Sequence, residues 1–388
     1  MSLIRANINP GRLNWTRRAA GLSVAESAQK TGLTQERLSA IEDGEAQPTL
    51  RQLRLLAKAY RRPTAFFYGT GTLDPLPGMP DFRMLPDLPA GEGESPALLY
   101  ELRRARSRRD TALEVLRLIG EEPRTIKLTA DREDGVKPIA ERIRGFLGVA
   151  LDKQFSWRDS YAALRGWTSA AESKDILVFQ LSGIQVAEVR GYSLSLHPMP
   201  VVALNGKDAP HGRVFTLLHE MAHLALNLSG LCDLHNEDGF DWVEPFCNAV
   251  AAEALIPEDS LRGHDVVQSH ETDEAWEDAE LSELSKTYSV SREAALRKLL
   301  THGLTTEEFY RARRKRFREE YRRRKEEQEG FLEYYRRVLR DNGASYTALL
   351  LQAYDQRAIS ARDLSHYLGD IKWQHIGPIR ESLPSATD

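Results

Sequence analysis

The sequence predicts an α+β fold that is predominantly α-helical, with a small sheet of about three strands in the middle of the chain. Apolar residues recur at helical spacing over most of the length, whereas β-branched runs are confined to residues 175–205. The 388 residues, 41% hydrophobic and 28% charged, have the composition of an ordinary globular protein with two or three domains.

The composition excludes several classes of protein. Two cysteines, Cys232 and Cys247, cannot form a disulfide scaffold, so a reducing compartment is expected. No apolar run approaches the roughly 18 residues that a membrane span requires. Residues 1–15 lack the apolar core of a signal peptide. We therefore expect a cytoplasmic protein without a membrane partner.

Charge is segregated along the chain, although the formal net charge is only −4. Residues 1–70 carry 11 basic and 5 acidic side chains, residues 232–284 carry 1 and 16, and residues 311–340 carry 13 and 6. Such blocks favour different partners for different parts of the chain, although a solvated helix face explains most charged runs.

The N-terminal region predicts short helices separated by tight turns. Ser23 is the expected N-cap of one helix, which ends at Gly32, and Thr34 is the expected N-cap of a second helix over residues 35–42. A third helix begins near Thr49 and carries leucines at i, i+3 and i+4 spacing. Two short helices joined by a glycine-containing turn form a helix-turn-helix motif.

Most of the remaining chain is predicted to be helical. Residues 70–95 are rich in proline and glycine and predict a linker that no helix crosses. A basic amphipathic helix is expected over residues 96–120 and another helix over residues 139–149. Past Arg213 the chain is expected to be helical to its end, with one long charged helix over residues 311–339.

The expected sheet lies between these helical regions. Strands are predicted over residues 175–180, 184–190 and 200–205, where apolar and β-branched residues form short runs or alternate. Gly183 and Gly191 separate the runs and are expected to mark the turns. A small sheet of about three strands follows.

The strongest functional signal is the pattern His-Glu-x-x-His at residues 219–223. On a helix, His219 and His223 lie one turn apart on one face, so both imidazoles can reach one metal ion. Glu220 lies about 100° round the helix, where its carboxylate can approach the open coordination position rather than the metal itself. Three protein ligands and a water form the usual catalytic zinc site, in which the pKa of the water falls to about 7.

A third ligand must come from a neighbouring element. Glu244 opens a second apolar helix, and a carboxylate in the first turn of a helix packed on the motif helix is well placed. A thiolate from Cys232 or Cys247 is an alternative, although inert buried thiols are commoner. The other candidates are Asp233, His235, Glu237, Asp238, Asp241 and Glu253, most of which lie in an acidic loop where solvation is the simpler explanation.

The segment FTLLHEMAHL, followed by VEPFCNAVAAEALIP, resembles the ImmA/IrrE family of zinc-dependent endopeptidases. The upstream segment VRGYSLSLHPMPVVALNGKDAPHGRVFTLLHE is similar to the sheet region of that family. The resemblance covers about residues 170–260 and extends more weakly to SVSREAALRKLL and ISARDLSHYLG. It implies a zincin-like core in which His219, His223 and Glu244 hold Zn²⁺. Many members carry a second glutamate where this chain has Phe246, which narrows the third ligand to Glu244.

The resemblance also implies a function. Enzymes of this family cleave phage-type or stress-response repressors, often with an attached Xre-type helix-turn-helix, and residues 11–68 resemble such a module. The expected reaction is metal-assisted peptide hydrolysis, in which Glu220 takes a proton from the attacking water and later delivers it to the leaving amine. His235 and Tyr192 are candidates for polarising the scissile carbonyl.

The helix-turn-helix predicts a DNA interface, because the second helix of such a motif lies in the major groove. The residues expected to face base edges are Thr34, Gln35, Glu36, Arg37 and Ser39. Gln35 suits adenine, and Arg37 suits guanine or a phosphate. Arg17 and Arg18 are expected to contact the phosphate backbone. The alternative is a small helical fold used for dimerisation or protein contact.

These observations together predict four regions. They are a helix-turn-helix domain (1–70), a linker with a basic helix (71–125), a zincin-like metallopeptidase domain (126–265) and a helical C-terminal region (266–388). The expected function is cleavage of a repressor- or antitoxin-type regulatory protein in a phage, mobile-element or stress response. DNA and a second copy of the chain in a homodimer are further expected partners. The alternatives are a metal-binding transcriptional regulator with a sensory or structural site, and a toxin–antitoxin component.

Overall fold

The computed structural model describes residues 5–60, 62, 64–70, 95–227, 242–270, 275–327 and 333–383, with side chains described outside 321–327. Most of the linker predicted at 70–95 therefore lies outside the described residues. The chain divides into two compact units, one with the described residues up to 106 and the other beginning at Ser107. The described residues are 64% helical and contain one small sheet, which confirms the predicted fold class. Among the described residues, no helix combines the length and the hydropathy of a membrane-spanning segment.

The first unit begins with four short helices, and the caps of the helix-turn-helix are the predicted ones. The helices are α1 (Pro10–Ala19), α2 (Val24–Thr31), α3 (Gln35–Glu42) and α4 (Leu50–Ala59), followed by a short 3₁₀ helix at Thr64–Tyr68. Ser23 and Glu26 form a capping box at the start of α2, and the Thr34 hydroxyl accepts the Arg37 N–H at the start of α3. Gly32 joins the two helices with a φ of 67°, a conformation that glycine adopts without strain.

A compact apolar core holds these helices together. The buried side chains include Leu13 of α1, Leu38 and Ile41 of α3, and Leu53 and Leu56 of α4. The helix α5 (Pro96–Leu118) begins in this unit. The predicted basic helix is therefore confirmed.

The second unit contains the sheet and fourteen of the helices that the structure describes. The helices are α6 (Val136–Leu147), α7 (Leu151–Phe155), α8 (Ser160–Glu172), α9 (Pro210–Ala225), α10 (Val243–Leu255), α11 (Glu258–Arg262), α12 (Asp265–Gln268), α13 (Asp278–Thr287), α14 (Arg292–Thr301), α15 (Glu307–Glu327), α16 (Tyr334–Asn342), α17 (Ala344–Asp355), α18 (Ala361–Tyr367) and α19 (Ile376–Glu381). Short 3₁₀ helices lie at Arg132–Asp134 and Trp373–His375.

The sheet has three strands in the order β1-β3-β2, with bounds Leu177–Leu181 (β1), Gly191–Leu194 (β2) and Val201–Asn205 (β3). The central strand β3 is parallel to β1 and antiparallel to β2. All five residues of β3 are buried, as expected for a strand covered on both faces.

The strand predicted at residues 184–190 is wrong, because the second strand lies at Gly191–Leu194. Residues 184–190 form turns instead, and the buried Asn205 side chain donates to the carbonyl of Val189 at 2.8 Å. Ile184 and Val189 are each only 1% exposed. The alternating pattern therefore arises from apolar residues that lie in a turn, rather than in a strand, and bury their side chains there.

The single helix predicted over residues 311–339 is also wrong. Glu333 has a ψ of 143°, outside the helical region, and is the N-cap of α16. Helices α15 and α16 are thus separate elements, and residues 328–332 lie outside the described part of the chain. Ion pairs such as Arg314–Glu293, at 3.0 Å, bind the charged face of α15 to α14.

The helix α9 is held between the sheet and α10. Gly191 allows the close approach of α9 to β2, because a Cβ there would lie 2.4 Å from the Thr216 methyl group and 2.7 Å from the carbonyl oxygen of Ala203. On its other side α9 packs along α10, whose Val250 and Ala251 are fully buried. This packing places the middle of α9 opposite the first turn of α10.

Candidate metal centre

Three potential ligands converge where α9 meets α10. The Nε2 atoms of His219 and His223 are 3.0 Å apart. Glu244, in the first turn of α10, places Oε1 3.1 Å from His223 Nε2 and Oε2 3.4 Å from His219 Nε2. Within the described part of the chain these three residues form the one group whose ligand atoms could share a metal ion. The structure thus brings together the three residues that the sequence analysis grouped.

The electrostatics of this group favour a cation. Burial would raise the pKa of Glu244, but its contacts with His219 and His223 lower the pKa far below the usual range of a carboxyl. Burial would lower the pKa of His223, but contacts with Cys247 and Glu244 and the charge of Glu220 raise it well above its ordinary value. The same negative charges would stabilise a metal ion between these groups.

Glu220 is buried beside the ligands and has a defined partner. The Ser193 hydroxyl of β2 donates to Glu220 Oε2 at 2.7 Å, and the two side chains are 5% and 7% exposed. Ser193 lies outside the strands predicted from the sequence, so no pattern pointed to it. Side chains alternate along a strand, so Ser193 faces α9 as Gly191 does, and Tyr192 faces the opposite side of the sheet.

The other ligand candidates separate into two groups. The buried Glu253 carboxylate is paired with the buried Lys298 ammonium, outside the group formed by the histidines. Cys247 is buried and interacts with His223 without joining the set of potential ligands. The remaining candidates, Cys232, Asp233, His235, Glu237, Asp238 and Asp241, lie outside the described residues.

The predicted DNA-contacting residues are not equally available. Thr34 and Gln35 are exposed, Ser39 is half-buried, and Arg18 is exposed near the end of α1. The guanidinium of Arg37 donates to the carbonyl of Gln47 at 2.9 Å, within the same unit.

Arg17 is held inside the first unit by three acceptors. Its Nε and one terminal nitrogen donate to the two carboxylate oxygens of Glu42 at 2.8 and 2.9 Å, and the other terminal nitrogen donates to the carbonyl of Leu22. The Glu42 side chain is only 3% exposed. This geometry favours a structural role for Arg17, and it keeps the charge of Glu42 away from solvent.

Two models of known protein families each match a part of the chain. Residues 171–300 match the peptidase M78 family model, described as an IrrE N-terminal-like domain, and residues 11–65 match a helix-turn-helix domain model. The chain thus combines a metallopeptidase-type hydrolase domain with a DNA-binding type of domain. These matches confirm the resemblance to the ImmA/IrrE family with an attached helix-turn-helix. No curated protein and no solved structure shows a significant match.

Proposed function

We propose that this protein is a zinc-dependent endopeptidase that cleaves a repressor- or antitoxin-type regulatory protein and binds DNA through its helix-turn-helix. The observation that carries the proposal is the convergence of His219, His223 and Glu244 inside the region that matches the peptidase model. Glu220 adds a buried carboxylate next to these ligands. The helix-turn-helix match supports action in the cytoplasm, where DNA is accessible.

The donor set fits zinc in both chemistry and spacing. Two imidazoles and one carboxylate are the protein ligands of a common catalytic zinc site. With zinc–ligand distances of about 2.0–2.1 Å, two donors of a tetrahedral site are about 3.3 Å apart. The two imidazole nitrogens are 3.0 Å apart, and each lies 3.1 or 3.4 Å from one of the two Glu244 carboxylate oxygens, which is close to that value. Three protein ligands would leave one position open to water or substrate.

The residues of this chain would then divide the reaction between them. Zinc, when bound, would supply a Lewis acid that acidifies a water molecule and polarises the scissile carbonyl. Glu220 accepts the proton of the attacking water and passes it to the leaving amine. The Ser193 hydroxyl donates a hydrogen bond to Glu220 Oε2 and so fixes the orientation of the Glu220 carboxylate. The burial of both side chains removes competing water and strengthens this hydrogen bond.

Co-expression tests the proposal directly. The full-length wild-type chain is produced together with each repressor-like protein encoded near it, and loss of the full-length repressor band is followed. We expect one such protein to be cut at a defined peptide bond, and a zinc chelator to prevent the cut in the purified mixture. A chain that binds zinc but cuts none of these partners would contradict the proposal.

Ser193→Ala is expected to lower kcat about tenfold while KM and zinc content stay unchanged. The substitution removes one hydrogen bond to a charged group, and such bonds contribute about 1.5–3 kcal/mol. The measurement is the steady-state rate of repressor cleavage at saturating substrate. Ser195→Ala is the matched control, since Ser195 lies two residues further on and donates to Asn227 instead. An unchanged kcat in Ser193→Ala would show that Glu220 needs no positioning by this residue.

DNA binding is proposed for the first unit on the basis of its match and its exposed polar side chains. Gln35 lies exposed at the start of α3, where a side chain can reach base edges. Arg18 carries an exposed charge that can meet a phosphate. Arg17 is unsuited to a binding test, because its removal leaves the buried Glu42 carboxylate without a cation beside it, at a cost of about 3–5 kcal/mol.

Arg18→Ala is expected to weaken binding to all DNA sequences and to reduce the slope of log Kobs against log salt by about one. Gln35→Ala is expected to relax the sequence preference with little change in that slope. Both are measured by fluorescence anisotropy with the promoter DNA of the protein's own gene. Binding that is independent of salt, or absent, would make the first unit a protein-contact domain.

A further inference from the structure

A cavity of about 740 Å³ opens beside Glu244 and follows one side of α10. Its walls come from α10, from α14, from the first turn of α6 and from Phe215 of α9. Phe215 lies one helical turn before His219, so the cavity begins next to the metal centre. Its volume lies within the range of about 300–1,000 Å³ that is typical of ligand pockets.

Small apolar side chains line this cavity and leave room for a guest. Ala249 and Ala252 lie on α10, Ala294 lies on α14, and Val290 and Phe215 are among the other apolar residues of the lining. Ala249 is exposed, and Ala252 and Ala294 are half-buried, so these alanines do not fill the space between the helices. A large apolar side chain of a bound peptide would lose its contact with water here, which is favourable by about 25 cal/mol per Å².

Most of the charged groups of the cavity are already paired within the protein. The buried Lys298 ammonium contacts the buried Glu253 carboxylate, so neither charge is offered to a ligand. Lys137 lies 2.6 Å from Asp259. Glu258 accepts from Arg262 at 2.8 Å.

Arg297 differs from these groups. Its side chain is exposed on the wall formed by α14, and its guanidinium lies 5.3 Å from the ring centroid of Tyr310. No carboxylate of the described residues lies within ion-pairing distance of it. A guanidinium that lies over a ring face can still donate from its edge to a carboxylate in a planar, two-point contact.

We propose that this cavity binds the segment of the protein substrate next to the scissile bond. A large apolar side chain lies against Phe215 and the alanines, and a nearby aspartate or glutamate pairs with Arg297. The cavity thus selects apolar–acidic sequences in the partner protein. This inference rests on the proposed peptidase function, because it takes the bound segment to be part of a substrate. Binding of the segment does not itself require catalysis.

The test measures binding of labelled peptides to the zinc-loaded full-length Glu220→Gln variant, which cannot consume them. One peptide alternates leucine with aspartate, a second alternates leucine with lysine, and a third alternates alanine with aspartate. We expect the leucine–aspartate peptide to bind about tenfold more tightly than either of the others. The net charge of −4 would favour the lysine peptide, so a preference for aspartate reports the local cation rather than the whole protein.

Two further substitutions locate the binding site. Arg297→Glu is expected to reverse the preference between the aspartate and lysine peptides, and Ala249→Trp to weaken both leucine peptides by filling the cavity. Arg311→Glu is the matched control, because Arg311 is exposed on α15 outside the cavity. An unchanged preference in Arg297→Glu, or unchanged affinities in Ala249→Trp, would overturn the inference.

The outcome separates this inference from the proposed function. If the leucine–aspartate peptide binds as expected but the wild type cuts neither it nor any repressor, the binding site stands and the peptidase proposal fails. The opposite outcome is a wild type that cuts a repressor while Arg297→Glu and Ala249→Trp leave the peptide affinities unchanged. That result would support the peptidase proposal and contradict the proposed specificity site.

Discussion

Replacing Glu220 with glutamine is expected to lower the rate of repressor cleavage by about 100- to 10,000-fold while zinc content and folding stay unchanged. Proton transfer by a positioned group typically contributes this much to a rate. Glutamine keeps the size of the side chain and can still accept the Ser193 hydroxyl hydrogen bond, but it cannot take a proton from the attacking water. The measurement is the cleavage rate of the purified repressor, with zinc determined on the same samples.

This variant also separates the two main candidate functions. In a regulator with a sensory or structural metal site, Glu220 would have no catalytic role. Glu220→Gln would then leave DNA binding and the metal response unchanged. Glu141→Gln is a suitable control, since Glu141 is exposed on α6. Cleavage that persists in Glu220→Gln would contradict the mechanism in which Glu220 takes the proton of the attacking water. A wild-type protein without cleavage, whose regulation survives the substitution, would favour the regulator.

The features that the sequence predicts well are local in origin. Ser23 and Thr34 make their capping contacts within three residues, so their effect does not depend on the rest of the fold. The i, i+4 spacing of His219 and His223 likewise places both imidazoles on one face of any helix. Glu244 depends on more than spacing, since it meets the histidines only because α10 packs along α9.

The features that the sequence does not predict depend on contacts between distant positions. Ser193 and Glu220 are 27 residues apart in sequence, and their hydrogen bond forms because β2 packs against α9. From the sequence, Arg17 is a candidate for phosphate binding like the other arginines of this region. In the structure its guanidinium instead donates to the carboxylate of Glu42, 25 residues further on. The position of β2 similarly depends on the side chain of Asn205, which bonds the turn before it.

Removal of any one proposed ligand, as in His219→Ala, His223→Ala or Glu244→Ala, is expected to weaken zinc binding by more than about 100-fold. Loss of a group that merely supports a ligand costs about 10- to 100-fold, and loss of the ligand itself should cost more. Zinc affinity is measured by competition with a chromophoric chelator. Thermal unfolding gives a second readout, because zinc that binds only the folded chain raises the Tm of the wild type.

His366→Ala is the matched control for the histidines, since His366 is an exposed histidine paired with Asp370. Its zinc affinity and its zinc-induced rise in Tm should equal those of the wild type. Each ligand variant should instead lose most of the rise in Tm at the same zinc concentration, because stabilisation by a bound ion depends on the ratio of its concentration to Kd. Full zinc occupancy in Glu244→Ala would contradict the site and transfer the third-ligand role to His235 or a cysteine.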